Sequence, residues 1–584
     1  MNAIAISGWL SWPSVLIAVI LMGGCASARV GDIPAGTFPS SVPDTLVGEQ
    51  PTEEAIYTVL GQQADEFQAR ERLYDIFHTT LDLRFDFENQ TLHGVASHRL
   101  MPLAAGTDSL HFDAADMDIH YVTLTHDEWT DTLMFRHRED ALAAFPIEAL
   151  SPADTVDVAI AYTAHPLRSQ QVRGLHFVDG PDVDPSLPTQ VWTLSQPEDG
   201  RYWFPTWDYP NDFMSFTIRM TVPERFDTYA NGDLIGQRSR SGMRTDTWHL
   251  AQPQVSYLAA FAVGEFAAVA DTFFRADSSY VPLEYIVEPE FEEFAMLNFG
   301  ETRRMLQVFE HQFGLRYPWS NYKQVAVREF TAGGMEHTTL STMSSALQVD
   351  DRAVLDYTGR NLIAHELAHQ WLGNLLTSEN WAHLALNEGF AQYFEEVYLE
   401  EAYGPDHAQE LAITNLEAYL AEAQTIRRPI IWYGYDDPYE VYDRHTYNKA
   451  ARVLNQLRFE VGEDAWWHGI QGYVRDNRHQ NVDATDLQRS MEEASGRSLE
   501  GFFRQWFHSP GHPELLVEQG PARETGLYEI RIQQVQDTSA VPVFEFDVEF
   551  EVYYRYRQPY RGRVRIASAD TTIRIGTAGE VGYV

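Results

Sequence analysis

His365-Glu366-Leu367-Ala368-His369 is the stretch from which the rest of the chain can be read. Two imidazoles at i and i+4 share one side of an α-helix, so both can face one metal ion. Neutral imidazole suits zinc, and a catalytic zinc site takes three protein ligands and keeps one position open. Glu366, next to the first histidine, is then placed to take a proton from water. The flanks read as helix. Ile363, Leu367, Trp371 and Leu375 recur every four residues, Thr358 offers a cap, and Gly373-Asn374 marks a stop.

A third ligand comes from Asn387-Glu388-Gly389-Phe390-Ala391. Eighteen residues separate His369 from Glu388, enough for a loop and the start of a second, antiparallel helix. Phe390, Phe394 and Tyr398 give that helix an apolar stripe, and Gly404-Pro405 ends it. Glu388 completes a His2Glu set for one zinc ion per chain. Upstream, the glycines of Gly333-Gly334-Met335-Glu336-His337 let backbone approach a ligand closely, and Glu336 can hold a cation. A tight turn with an exposed Glu is the plainer reading. Downstream, Tyr447 opens another helix, with Val453, Leu454 and Leu457 as its stripe. A phenol there can donate to a developing oxyanion, although a lone tyrosine is more often core.

The 584 residues are 44% hydrophobic and 13% aromatic, as in packed globular domains, and carry a formal charge of −43. Only Lys323 and Lys449 are lysines, and arginine supplies the other fixed cations. Such a surface repels nucleic acid and anionic lipid, so neither is an expected ligand. It suits high salt and plain solubility equally well.

Residues 1–24 read as a signal peptide, because the apolar run Val15–Met22 is too short to span a bilayer. Leu21-Met22-Gly23-Gly24-Cys25 resembles a bacterial lipobox, which predicts export to the cell envelope and a lipid anchor on Cys25, with plain secretion as the alternative. Residues 25–69 form a tether and lead-in, rich in Gly, Pro, Ser and Thr at its start. Period-two alternation then dominates residues 70–268, as in Leu81–Phe87, Gly94–Leu100 and Phe216–Val222, and predicts an N-terminal all-β domain. Residues 269–508 are expected to be mainly α and to hold the zinc motif. Alternation returns over 509–584, a short β-sandwich-like domain with Val543–Phe550 as its clearest strand.

Together these blocks resemble the aminopeptidase N family of zinc metallopeptidases. The family pattern runs G-[AG]-M-E-N, then H-E-x-x-H with a Glu eighteen residues on, then a Tyr before x-K-G/A; His337 replaces its Asn. Tyr257–Phe266 and Phe313–Trp319 also match, and Ser195-Gln196-Pro197-Glu198 looks like the family's loop from the β domain. The resemblance implies a thermolysin-like catalytic domain with His365, His369 and Glu388 on zinc. It makes Glu366 the general base and gives Tyr447 the oxyanion. Glu336, Glu198 and Gln196 would grip the free α-amino group of a peptide, while Gly333, Gly334 and Met335 line its backbone. Two other readings share these residues: a zinc endopeptidase resembling thermolysin, and a non-catalytic peptide-binding surface lipoprotein.

Overall fold

The computed structural model describes residues 58–60, 70–127, 129–168, 171–178, 188–524, 526–555, 557–576 and 581–584. The expected signal peptide, Cys25 and nearly all of the tether lie outside them. The chain divides into two compact units, one of Gln63–Ile413 with Ile430–Phe503, the other of Met1–Gln62, Thr414–Pro429 and Arg504–Val584.

The larger unit opens with β-structure, because its sequence alternates. In Tyr74–Asp86 the side chains of Ile76, Leu81 and Leu83 are buried, and in Thr91–Pro102 those of Leu92, Ala96 and Leu100 meet them. These strands pair antiparallel, with Leu81 opposite Ala96. They lie inside an eight-stranded sheet whose one parallel neighbour pair sets Phe213–Pro223 beside Tyr74–Asp86. A four-stranded antiparallel sheet matters more for function. Its strand Gln190–Leu194 runs between Gly174–Val178 and Phe261–Gly264, and leads directly into Ser195-Gln196.

The segment expected to be mainly α has its helices between residues 289 and 506, but it begins with strands and holds three more of the same sheet between 322 and 344. Ala267–Phe274 and Tyr280–Val287 join Tyr322–Val327, Leu340–Ser344 and Gly334–Met335 in one mixed five-stranded sheet, with Gly334–Met335 at its edge. Tyr322–Val327 is buried along its whole length, as a strand with parallel neighbours on both sides must be.

The first histidine helix is shorter than its apolar spacing predicts. It spans Arg360–Ala368, with Gly359 at its N-cap instead of Thr358, and His369 is already its C-cap. Trp371 and Leu375 lie past its end yet are fully buried. Trp371 stacks on Phe313 (5.0 Å between ring centres), which in turn stacks on Phe394 (4.4 Å) of the helix Glu388–Tyr403. This aromatic cluster fixes the two helices against each other from behind. Stacked aromatic pairs add about 0.5–1.5 kcal/mol each beyond their buried area.

In the smaller unit, Thr58–Val59 pairs in parallel with Ile426–Arg427. Two three-stranded antiparallel sheets follow, one of Leu515–Pro521, Leu527–Gln534 and Asp570–Gly576, the other of Tyr560–Ile566, Phe546–Tyr554 and Val581–Tyr583. The clearest expected strand is therefore shifted: it starts at Phe546, because Phe544 turns inward onto Trp506, 4.7 Å between ring centres.

Candidate functional site

The two histidine rings sit 4.8 Å apart (ring centres) and both turn Nε2 toward Glu388. Each Nε2 lies 3.3 Å from Glu388 Oε2. What orients them is on the far side of each ring. His365 Nδ1 donates to Glu395 Oε1 at 2.9 Å, and His369 Nδ1 donates to the Leu372 carbonyl at 2.9 Å. That assignment leaves both Nε2 lone pairs free for a metal. Glu395 was not singled out from sequence, although seven residues from Glu388 is two helical turns on the same face. Glu388 is the first residue of its helix, where the macrodipole favours a carboxylate.

The donor atoms of His365, His369 and Glu388 lie within 4.8 Å of one another and all three residues are buried. A His2Glu donor set of this size fits zinc. So does the charge around it. Burial opposes ionisation of Glu388, yet His369 and His365 hold its carboxyl well below the usual range. Burial pushes the Glu366 carboxyl up to about 8, against the pull of the two histidines. Burial also raises Glu336, and Glu388 adds to the rise. Three crowded carboxylates are a poor arrangement without a cation among them.

Glu366 Oε2 is buried and has no hydrogen-bond partner among the described residues. Its other oxygen is packed against the backbone of Gly334, where an added Cβ would lie 2.1 Å from Oε1. Only glycine allows that approach. Gly334–Met335 pairs antiparallel with Thr342–Met343 and is the sheet's edge, so among the described residues no strand lies on its outward side. Gly333 makes the turn before it (φ 87°) and does not line the cavity. Glu336 follows. Its carbonyl accepts from Gln370 and Asn374, at 3.0 and 2.7 Å, while its carboxylate accepts from Gln196 Nε2 at 3.2 Å. Gln196 also reaches Glu388 Oε1, at 3.4 Å. His337 is fully buried and hydrogen-bonds Thr342, which closes the same turn.

Tyr447 lies in a π-helical turn, His445–Lys449, ahead of the helix Ala450–Val461. Its ring is nearly parallel to that of His365 (6.2 Å between centres, 16°). Burial and then the charges of Glu388, Glu336 and Glu366 push its pKa well above the tyrosine range, so the phenol stays a donor.

Besides Gly333, a second expected residue is elsewhere. Glu198 does not line the cavity. Its Oε2 accepts from Arg201 at 2.6 Å and its Oε1 from Trp381 Nε1 at 2.9 Å. After Pro197 the chain tightens into the turn Gly200–Tyr202, which sends Gln196 and Glu198 in different directions. The cavity holding the other residues has a volume of about 770 Å³ and continues outward past Asp199, Arg173, Asp437 and Tyr439.

The arrangement has known counterparts. Residues 294–506 match the peptidase family M1 domain and residues 71–258 the peptidase M1 N-terminal domain. Aminopeptidase N of Streptomyces lividans is 30% identical over 460 residues, covering 76% of this chain and 51% of that protein. The mitochondrial aminopeptidase 2 of Saccharomyces cerevisiae is 25% identical over 452 residues, 76% of this chain and 47% of its own. The chain thus spans about half the length of the curated relatives it matches. An M1 zinc metallopeptidase from Deinococcus radiodurans, solved as a mutant bound to a Tyr-Ser-Ala substrate, shares the fold. Its TM-score is 0.64 at 23% identity, over 76% of this chain and 96% of that one. With both domain matches in order and the zinc-ligand cluster intact, the chain belongs to the M1 peptidase family.

Proposed function

We propose that the protein is a zinc aminopeptidase that removes single residues from the free N-terminus of peptides. His365, His369 and Glu388 would hold zinc, which when bound would supply a Lewis acid for the scissile carbonyl and for water. Glu366, with one buried oxygen unpartnered, takes the proton from the attacking water and returns it to the departing amine. Tyr447 donates its phenolic proton to the carbonyl oxygen as negative charge develops there. The edge strand Gly334–Met335 pairs with the substrate backbone as an added strand would. Glu336, with Gln196 beside it, receives the α-ammonium.

The observation that carries this reading over an endopeptidase is Glu336. It is a carboxylate 2% exposed, set at the end of the substrate-facing strand and touching the Gln196 amide instead of a fixed cation. A charge-assisted hydrogen bond to an ammonium is worth about 1.5–3 kcal/mol, so its loss costs roughly 10–200-fold. Comparing kcat/KM on free and N-acetylated forms of one short peptide tests it. The free form should lead by at least that factor, and equal rates would favour the endopeptidase.

We also propose, on the Leu21–Cys25 motif alone, that the chain is exported and tethered to a membrane through a lipid on Cys25 and residues 25–69. A Cys25→Ser chain should then leave the membrane fraction, and unchanged membrane association would exclude the lipid.

A further inference from the structure

The outer part of the catalytic cavity carries a charge that the proposed reaction does not use. Six carboxylates face the cavity, from Asp199, Glu336, Glu366, Glu388, Glu395 and Asp437, while Arg173 is the one Lys or Arg among the described lining residues. Its surroundings orient it: it hydrogen-bonds Tyr202 and is ion-paired at longer range with Asp199. The guanidinium lies over the rings of Tyr439 (5.2 Å) and Tyr202 (5.9 Å), which fixes its plane. Among the described residues its ion-pair partner is Asp199, whose Oδ1 is 3.7 Å away, beyond hydrogen-bond distance. The other Asp199 oxygen already accepts from Tyr439 Oη at 2.7 Å. The Arg173 side chain keeps a third of its surface exposed.

Its distance from the chemistry is bounded by the chain. Asp199 is three residues from Gln196, which touches Glu336 and Glu388, and three residues reach at most about 10 Å. Arg173 and Glu336 line one cavity, so a substrate whose N-terminus is at Glu336 shares that cavity with Arg173. A planar fork with five donors, oriented by two aromatic rings, matches a carboxylate. The charge of −43 on the chain repels anionic substrates at long range, so taking one requires a local cation such as this.

We propose that Arg173 is a specificity residue that binds a carboxylate carried by the substrate within a few residues of its N-terminus. The carboxylate is either the C-terminus of a short peptide or an acidic side chain. This rests on the aminopeptidase reading. If Arg173 were only a counter-ion for Asp199, its loss would affect all substrates alike.

The test measures kcat/KM on two matched pairs, Ala-Ala-Ala against its C-terminal amide, and Ala-Glu-Ala-amide against Ala-Gln-Ala-amide. At least one pair should show a preference of about tenfold for the carboxylate, carried in KM. Preference in the first pair identifies the C-terminus, and in the second the side chain. Arg173→Gln should bring that ratio close to one, and Arg173→Lys should restore part of it. Ratios near one in the wild type for both pairs overturn the proposal, as does a ratio that survives in Arg173→Gln. Should Arg173→Gln fail to fold, the wild-type ratios and the Arg173→Lys variant still decide. Ala-Gln-Ala-amide has no carboxylate, so its turnover by the wild type reports on the aminopeptidase reading alone.

Discussion

Glu366 and Glu395 are neighbours of the same histidine with opposite assignments, and their hydrogen bonds explain why. Glu395 is occupied by His365 Nδ1, so it orients a ligand; Glu366 Oε2 has no such partner and is free to move a proton. Two substitutions separate these roles. Glu366→Gln keeps the shape and removes the base. Zinc content measured by mass spectrometry should stay near one per chain while kcat falls roughly 10²–10⁴-fold. Glu395→Gln should instead weaken zinc, by roughly 10–100-fold in a chelator competition, because the partner that fixes the ring is lost. If Glu395→Gln bound zinc like the wild type, the ring would be held by helix packing alone.

At the level of elements, the spacing between the edge strand and the first histidine helix is set by the missing side chain of Gly334. An alanine there would place its Cβ on Glu366 Oε1, so the carboxylate or the strand must shift. Misplacement by about 1 Å costs up to roughly 10²-fold, and Gly334→Ala is expected to lower kcat by at least tenfold with little change in thermal midpoint. Wild-type kcat would show that the gap can open at no cost to the reaction. The same elements show what was legible in sequence. His365, His369 and Glu388 could be found because helical spacing and a short loop fix their geometry locally. The close backbone approach at Gly334 was legible as two glycines before Met-Glu, whereas its place at a sheet edge was not. The extent of the histidine helix was not, since Trp371 and Leu375 are buried by the aromatic cluster whether or not they are helical. Glu198 was placed at the site by the resemblance alone, and it turns instead onto Arg201 and Trp381. The chain leaves the strand at Leu194, so no regular spacing ties the direction of Glu198 to that of Gln196. Arg173 gave no local signal, because only the fold brings it to the cavity.

For the whole molecule, both lysines are buried, so among the described residues the surface cations are arginine and protonated histidine. Stability at low pH depends on groups inside. His98 is fully buried between Thr79 and the Pro205 carbonyl, and burial lowers its pKa to about 4. The unfolded chain takes up this proton near pH 6.5, while the native chain resists it until about pH 4. The contribution is thus complete above 6.5 and is lost as pH falls through that window, by about 3 kcal/mol. Thermal midpoints should drop over this range, and less steeply in His98→Gln; an identical slope in the variant would remove His98 from the account. One unblocked decapeptide, incubated with the zinc-loaded protein and followed by mass spectrometry, should lose single residues in order from its N-terminus. Internal fragments appearing first would contradict the account and leave the same zinc site to an endopeptidase.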